Sequence, residues 1–264
     1  MITVAPFLIE WTSAILFGAF AKAGLKDPEH FLTALGLATF FFPLWRVAGM
    51  IAGVVLLLTG CGFLKGEKLA WPIALSALSV PGIAGLHFLI PWIGMSTIMG
   101  LPPQGMPPTL LMWLVALGAY VVLLLIPRGD KMQKLTRLVV FFLLGVIAAD
   151  AFILGFASTR TLIARPGAPM FQGVEMTILT VGGPMGYIVS IGAFLTIPLL
   201  AARKRSGWYV GLGTGLLAII SDFPTQLVRR VTFDFLVGGL LGLALVVVLV
   251  IPAVRARLLG AVED

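Results

Sequence analysis

The chain has 264 residues, of which 59% are hydrophobic and only 11% charged, against about 25% charged in an ordinary soluble domain. That balance excludes a soluble globular protein and points to the bilayer. The net charge of +7 is spread over short loops rather than one soluble face, which argues against a nucleic-acid partner. Cys61 stands alone, so an internal disulfide and a cysteine metal cluster are both ruled out.

A hydrocarbon core about 30 Å thick takes roughly 20 apolar residues of helix. Several runs approach that length, among them VAGMIAGVVLLLTGCGFL and FLVGGLLGLALVVVLVIP, and they are continuous rather than alternating. Helices are therefore expected, not a β-barrel. In chain order the spans fall at 5–24, 46–64, 69–92, 110–127, 138–157, 177–200, 208–227 and 235–252. The N-terminus has no basic region and carries Glu10 within the first apolar stretch, so it reads as part of the fold and not as a cleavable signal. Segment 31–45 is apolar but short, and Pro43 interrupts it; it reads as interfacial or re-entrant. The fold class is thus an all-α integral membrane protein with about eight transmembrane helices.

Basic residues orient the spans. Lys65, Lys68, Arg128, Lys131, Lys134, Arg137, Arg203, Lys204, Arg205, Arg255 and Arg257 fall on one side, and Lys22, Lys26, Arg160, Arg165, Arg229 and Arg230 on the other. Eleven against six places both termini in the cytoplasm of a multi-pass plasma-membrane protein. The Pro- and Gly-rich loops 93–109 and 158–176 then face outward.

An internal echo suggests two tandem four-helix units, 1–130 and 131–264. A basic loop followed by Trp occurs twice (KGEKLAW and RKRSGW), with Trp71 and Trp208 137 positions apart. The fourth and eighth spans both close on proline, Pro127 and Pro252. An even helix count gives the units the same orientation. Recurrence of Trp, Pro and basic residues at membrane boundaries is the alternative explanation.

Charges at membrane depth are costly and mark candidate sites. Arg46, His87 and Asp150 are expected to meet beneath the outward loops. They would form either a pocket for a quinone headgroup, an anion or a proton path, or a structural Arg46–Asp150 ion pair with His87 hydrogen-bonded nearby. Glu10 lies about 8 Å inside the opposite boundary at 1.5 Å per residue, out of their reach, and is a separate candidate. Asp222 and Asp234 flank Arg229 and Arg230 and read as interfacial. Trp45, Trp92 and Trp208 read as interfacial belts. VGGPMG at 181–186 either breaks the sixth span around a substrate or permits close packing, and GLGTG at 211–215 reads as a packing face. Two histidines do not furnish the paired ligands of transmembrane b-haems. Walker, HExxH and GxSxG patterns are absent. An isolated enzyme with its own cofactor is not expected.

The stretch AKAGLKDPEHF, a short amphipathic segment, a proline and a glycine-rich second helix resemble the DoxX/MauE-like family of four-helix membrane proteins, over about residues 10–127. Family members often carry an acidic residue in the second helix, where VAGMIAGVVLLLTG has none and Arg46 stands at its entrance. The resemblance implies association with redox or respiratory machinery. The expected role is a non-catalytic or quinone-facing subunit anchoring such a complex, with a quinone or bound lipid as the candidate small molecule and other membrane subunits as partners. A small-solute or ion transporter built on parallel repeats, and a membrane assembly factor, are the alternatives.

Overall fold

The computed structural model describes residues 4–102, 105–126, 130–163, 173–229 and 233–260. Nine helices follow one another among the described residues: α1 (Val4–Gly24), α2 (Pro28–Leu64), α3 (Ala70–Thr97), α4 (Pro108–Leu125), α5 (Lys131–Ile163), α6 (Val174–Ala201), α7 (Arg205–Val228), α8 (Asp234–Val250) and α9 (Pro252–Leu259). Strands are absent among the described residues. Helices α1 to α6 are each long and apolar enough to cross a membrane, and α8 with α9, bent by 77°, makes a seventh. Helix α7 packs between α6 and α8, in a bundle of about six to eight spans. The protein is an all-α, multi-pass membrane protein. Pro127, Arg128, Arg165 and Arg230, which entered the closing-proline and charge arguments, lie outside the described residues, as do parts of both long loops.

Segment 31–45 corrects the sequence reading. It is neither interfacial nor re-entrant but the first half of α2, a single helix of 37 residues. Phe31, Ala34, Ala38, Phe42 and Trp45 are all buried, and their spacing of three or four residues is that of one helical face. Pro43 sits inside this helix without ending it. A proline frees the carbonyl four residues back, and in a bilayer such interruptions are tolerated when neighbouring helices and Ser/Thr side chains compensate.

Each half closes into a ring. Helices α1 to α4 pack in sequence and α4 returns to α1; α5 to α8 do the same, with α8 returning to α5. The rings join where α3 packs on α5 and α6, and α2 on α5. Trp71, at the start of α3, donates its indole N–H to the Leu123 carbonyl at 2.8 Å. Trp208, at the start of α7, donates to the Leu249 carbonyl at 2.9 Å. Both bonds tie the start of the third helix of a ring to the end of its fourth.

Packing in lipid gains little from hydrophobic burial and depends on close van der Waals approach. The second ring achieves this with glycine. A Cβ at Gly186 would stand 2.7 Å from the Ala151 carbonyl oxygen, and one at Gly215 would stand 2.9 Å from that of Gly242. VGGPMG is therefore a packing face within an unbroken α6, and GLGTG is its counterpart on α7. At the far end Ile251, extended before Pro252, turns the chain into α9. There Arg255 lies over the Trp208 ring, 4.6 Å from its centroid.

Candidate functional site

The continuity of α2 rearranges the expected polar cluster. Arg46 stands 18 residues from either end of α2, about 27 Å at 1.5 Å per residue, so it lies at the middle of this long helix and not at the entrance of a span. Because α1 and α2 are antiparallel neighbours, Glu10 comes to the same level. Arg46 Nη2 donates to Glu10 Oε2 at 2.9 Å. The reading that kept Glu10 out of reach is overturned, and Arg46 pairs with Glu10 rather than with Asp150. The side chains are 48% and 56% exposed, respectively, so the pair lies on the outer surface of the hairpin. Around it Phe7, Trp11, Val47 and Met50 are exposed as well. A shallow depression of about 210 Å³ runs beside the pair, between Ser13, Phe17, Phe42 and Pro43.

His87 sits at the join of the two rings, only 4% exposed. Its imidazole meets Phe42, Trp45 and Phe88 from the first ring and Phe152 and Phe156 from the second. Neither ring nitrogen has a hydrogen-bond partner, and the same holds for Trp45 Nε1. His87 packs as one more aromatic ring in this box. Trp45 is part of the box and not of an interfacial belt. Trp92 does stay near its helix end, where its indole N–H donates to the Gly105 carbonyl at 2.9 Å.

Asp150 faces the interior of the second ring, two residues before the Phe152 that touches His87. Its polar neighbour is Asp222 of α7, which is 4% exposed and therefore buried, not interfacial. A Cβ at Gly238 of α8 would stand 2.5 Å from Asp222 Oδ2 and 3.0 Å from Asp150 Oδ2. The two carboxylate oxygens can be no farther apart than those distances laid end to end. Asp234, at the start of α8, adds its charge to both. Beyond the pair are Thr225, three residues after Asp222, and the buried Ser158, eight residues after Asp150, whose hydroxyl has no partner. Farther out, Arg160 lies within the electrostatic reach of Arg229, Asp234 and Asp27. These polar groups lie between the carboxylate pair and the α5 C-terminus, in a ring whose helices approach closely at glycines.

Asp222, too, was misplaced by sequence reasoning. Its nearness to Arg229 and Arg230 suggested a membrane boundary, yet it lies six residues before the end of α7, about 9 Å in. One available signal was Gly238 in GGLLG, a small residue on the helix that must approach it. Among the described residues no group of three or more His, Cys, Asp or Glu side chains is arranged to hold a metal ion. Compared with protein-family models, curated proteins and solved structures, the chain matches none.

Proposed function

We propose that the chain is a polytopic membrane subunit, without catalysis of its own, that joins a redox or respiratory membrane assembly through the outer face of α1 and α2. The observation that carries this reading is the Glu10–Arg46 pair, half exposed on the outer face of two apolar helices, with Glu10 six residues into α1. A charge facing lipid is penalised by up to about 2.5–3.5 kcal/mol on insertion scales, the most at the centre of a span, and such groups almost always face protein or a water-filled cavity. A second membrane chain laid against Phe7, Trp11, Val47 and Met50 would cover the pair and the depression beside it. The DoxX/MauE-like resemblance of residues 10–127 falls on the same ring and supports a redox partner. With both termini cytoplasmic, the basic end of the bundle faces the cytoplasm, in keeping with the charge count.

Native electrophoresis in mild detergent tests this. The wild-type chain should migrate as a discrete assembly, and the Glu10→Leu/Arg46→Leu double variant should migrate as the chain alone. The isolated double variant should be as heat-stable as wild type or more so, because replacing an ion pair by packed apolar groups is often neutral or favourable. An assembly of unchanged size in the double variant would refute the reading.

The Asp150–Asp222 pair favours a second reading, a proton or small-cation transporter. Two carboxylates this close in a low-dielectric interior oppose one another and call for one compensating positive charge. Thr225 and Ser158, between the pair and the nearer end of the bundle, are the polar groups that charge would pass.

A further inference from the structure

Phe141 lines two cavities, one apolar and one basic. The first is an apolar cleft of about 300 Å³ where α4 and α5 splay apart against α3. Its walls include Trp113, Tyr120, Phe141 and Phe142, and Gly82 and Gly145 give it depth. Phe142, 47% exposed, forms a rim open to the bilayer. The second cavity, about 340 Å³, lies at the end of the bundle where α2, α4 and α6 finish and α3 and α5 begin. Lys68, Arg137 and Arg203 line it, with one carboxylate, Glu67. Glu67 is turned toward Gly62, where its Oε2 would be 3.1 Å from a Cβ.

Arg137 is the unusual member. It is only 6% exposed, and its Nη1 is buried without a hydrogen-bond partner. Arg203 is close enough to repel it. Arg203 itself has a φ of 55°, a left-handed conformation uncommon outside glycine, just past the end of α6. Two arginines brought together against their own repulsion, one with an unsatisfied N–H, describe a seat for an anion. The rings at the junction are held in place: Trp71 by its bond to the Leu123 carbonyl, and Tyr120 by its hydroxyl bond to the Phe141 carbonyl at 3.3 Å.

We propose that this composite site holds one anionic phospholipid, with its phosphate at Arg137, Arg203 and Lys68 and an acyl chain along the cleft between α3, α4 and α5. Basic pockets between membrane helices are recurrent sites for anionic headgroups, and the adjoining cleft supplies the hydrocarbon contact that a free anion would not use. The lipid would fill the seam between the two rings.

The test uses the full chain, purified and delipidated in detergent, with native mass spectrometry and thermal unfolding as readouts. Phosphatidylglycerol should bind at one per chain and raise the unfolding midpoint, while phosphatidylcholine with the same acyl chains should do so at least tenfold more weakly. Inorganic phosphate should not reproduce the shift. Gly145→Leu should weaken phosphatidylglycerol binding at least tenfold; Gly145 lines the cleft and a Cβ there meets nothing within 4 Å, so the side chain starts into open space that the acyl chain would occupy. Arg137→Gln should weaken it similarly. Should that buried variant fail to fold, the exposed pair Lys68→Gln/Arg203→Gln takes its place. Equal binding of the two phospholipids, a full shift from inorganic phosphate alone, or wild-type binding by the cleft and basic-end variants would each overturn the proposal.

Discussion

At the scale of single residues, the charges inside the membrane divide by where they point. Glu10 and Arg46 look outward and neutralise one another; Asp150 and Asp222 look inward and share one sign. If the transporter reading holds, the inward pair is its working part. Proteoliposomes carrying the wild-type chain should then pass protons or a small cation down an imposed gradient, and Asp150→Asn or Asp222→Asn should remove at least nine-tenths of that flux. Flux equal to that of empty vesicles, or unchanged in both variants, would dismiss this role. Asp150 and His87 were legible as polar groups within apolar runs, though they were expected beneath the outward loops. Their partners were not legible, because pairing depends on which helix faces which. The depth of Arg46 was misjudged for a single reason: α2 was taken to begin at its own doorstep instead of 18 residues earlier.

At the scale of elements, the lesson lies in α2 and in the two tryptophans. The face Phe31, Ala34, Ala38, Phe42 and Trp45 was present in the sequence, but Pro43 outweighed it, as proline would in a soluble helix. Within a membrane bundle the periodicity was the better guide. GLGTG on α7 was read as a packing face, and of the two readings of VGGPMG on α6 it is close packing that holds, because close approach demands glycine whatever the partner. Trp71 and Trp208 occupy matching places in their rings, and we propose that the rings descend from one duplicated unit. Under the same offset, Asp150 and Asp222 fall on Ser13 and Gly85, so the carboxylate pair belongs to the second ring alone. Trp71→Phe and Trp208→Phe should each lower unfolding stability by about 0.5–1.5 kcal/mol, the usual net worth of a hydrogen bond. Equilibrium unfolding of the two variants measures this, and a loss confined to one ring would count against matching roles.

At the scale of the whole molecule, two rings joined through α3, α5 and α6 leave the α1–α2 hairpin at the periphery, with a charged pair on its outer face. Charge at membrane depth and on the outside belongs to a surface that another protein covers, and the case for a subunit rests on it. Site-specific photo-crosslinking in native membranes addresses that most directly. A photoreactive residue at Val47, beside Arg46, is compared with one at Val247 on the exposed face of α8; the two positions are 51% and 53% exposed. The account predicts one discrete, near-stoichiometric adduct at Val47 that disappears in the Glu10→Leu/Arg46→Leu background, and none at Val247; differently tagged copies show whether the partner is the chain itself. Absence of an adduct at Val47, or the same diffuse pattern at both positions, would contradict it.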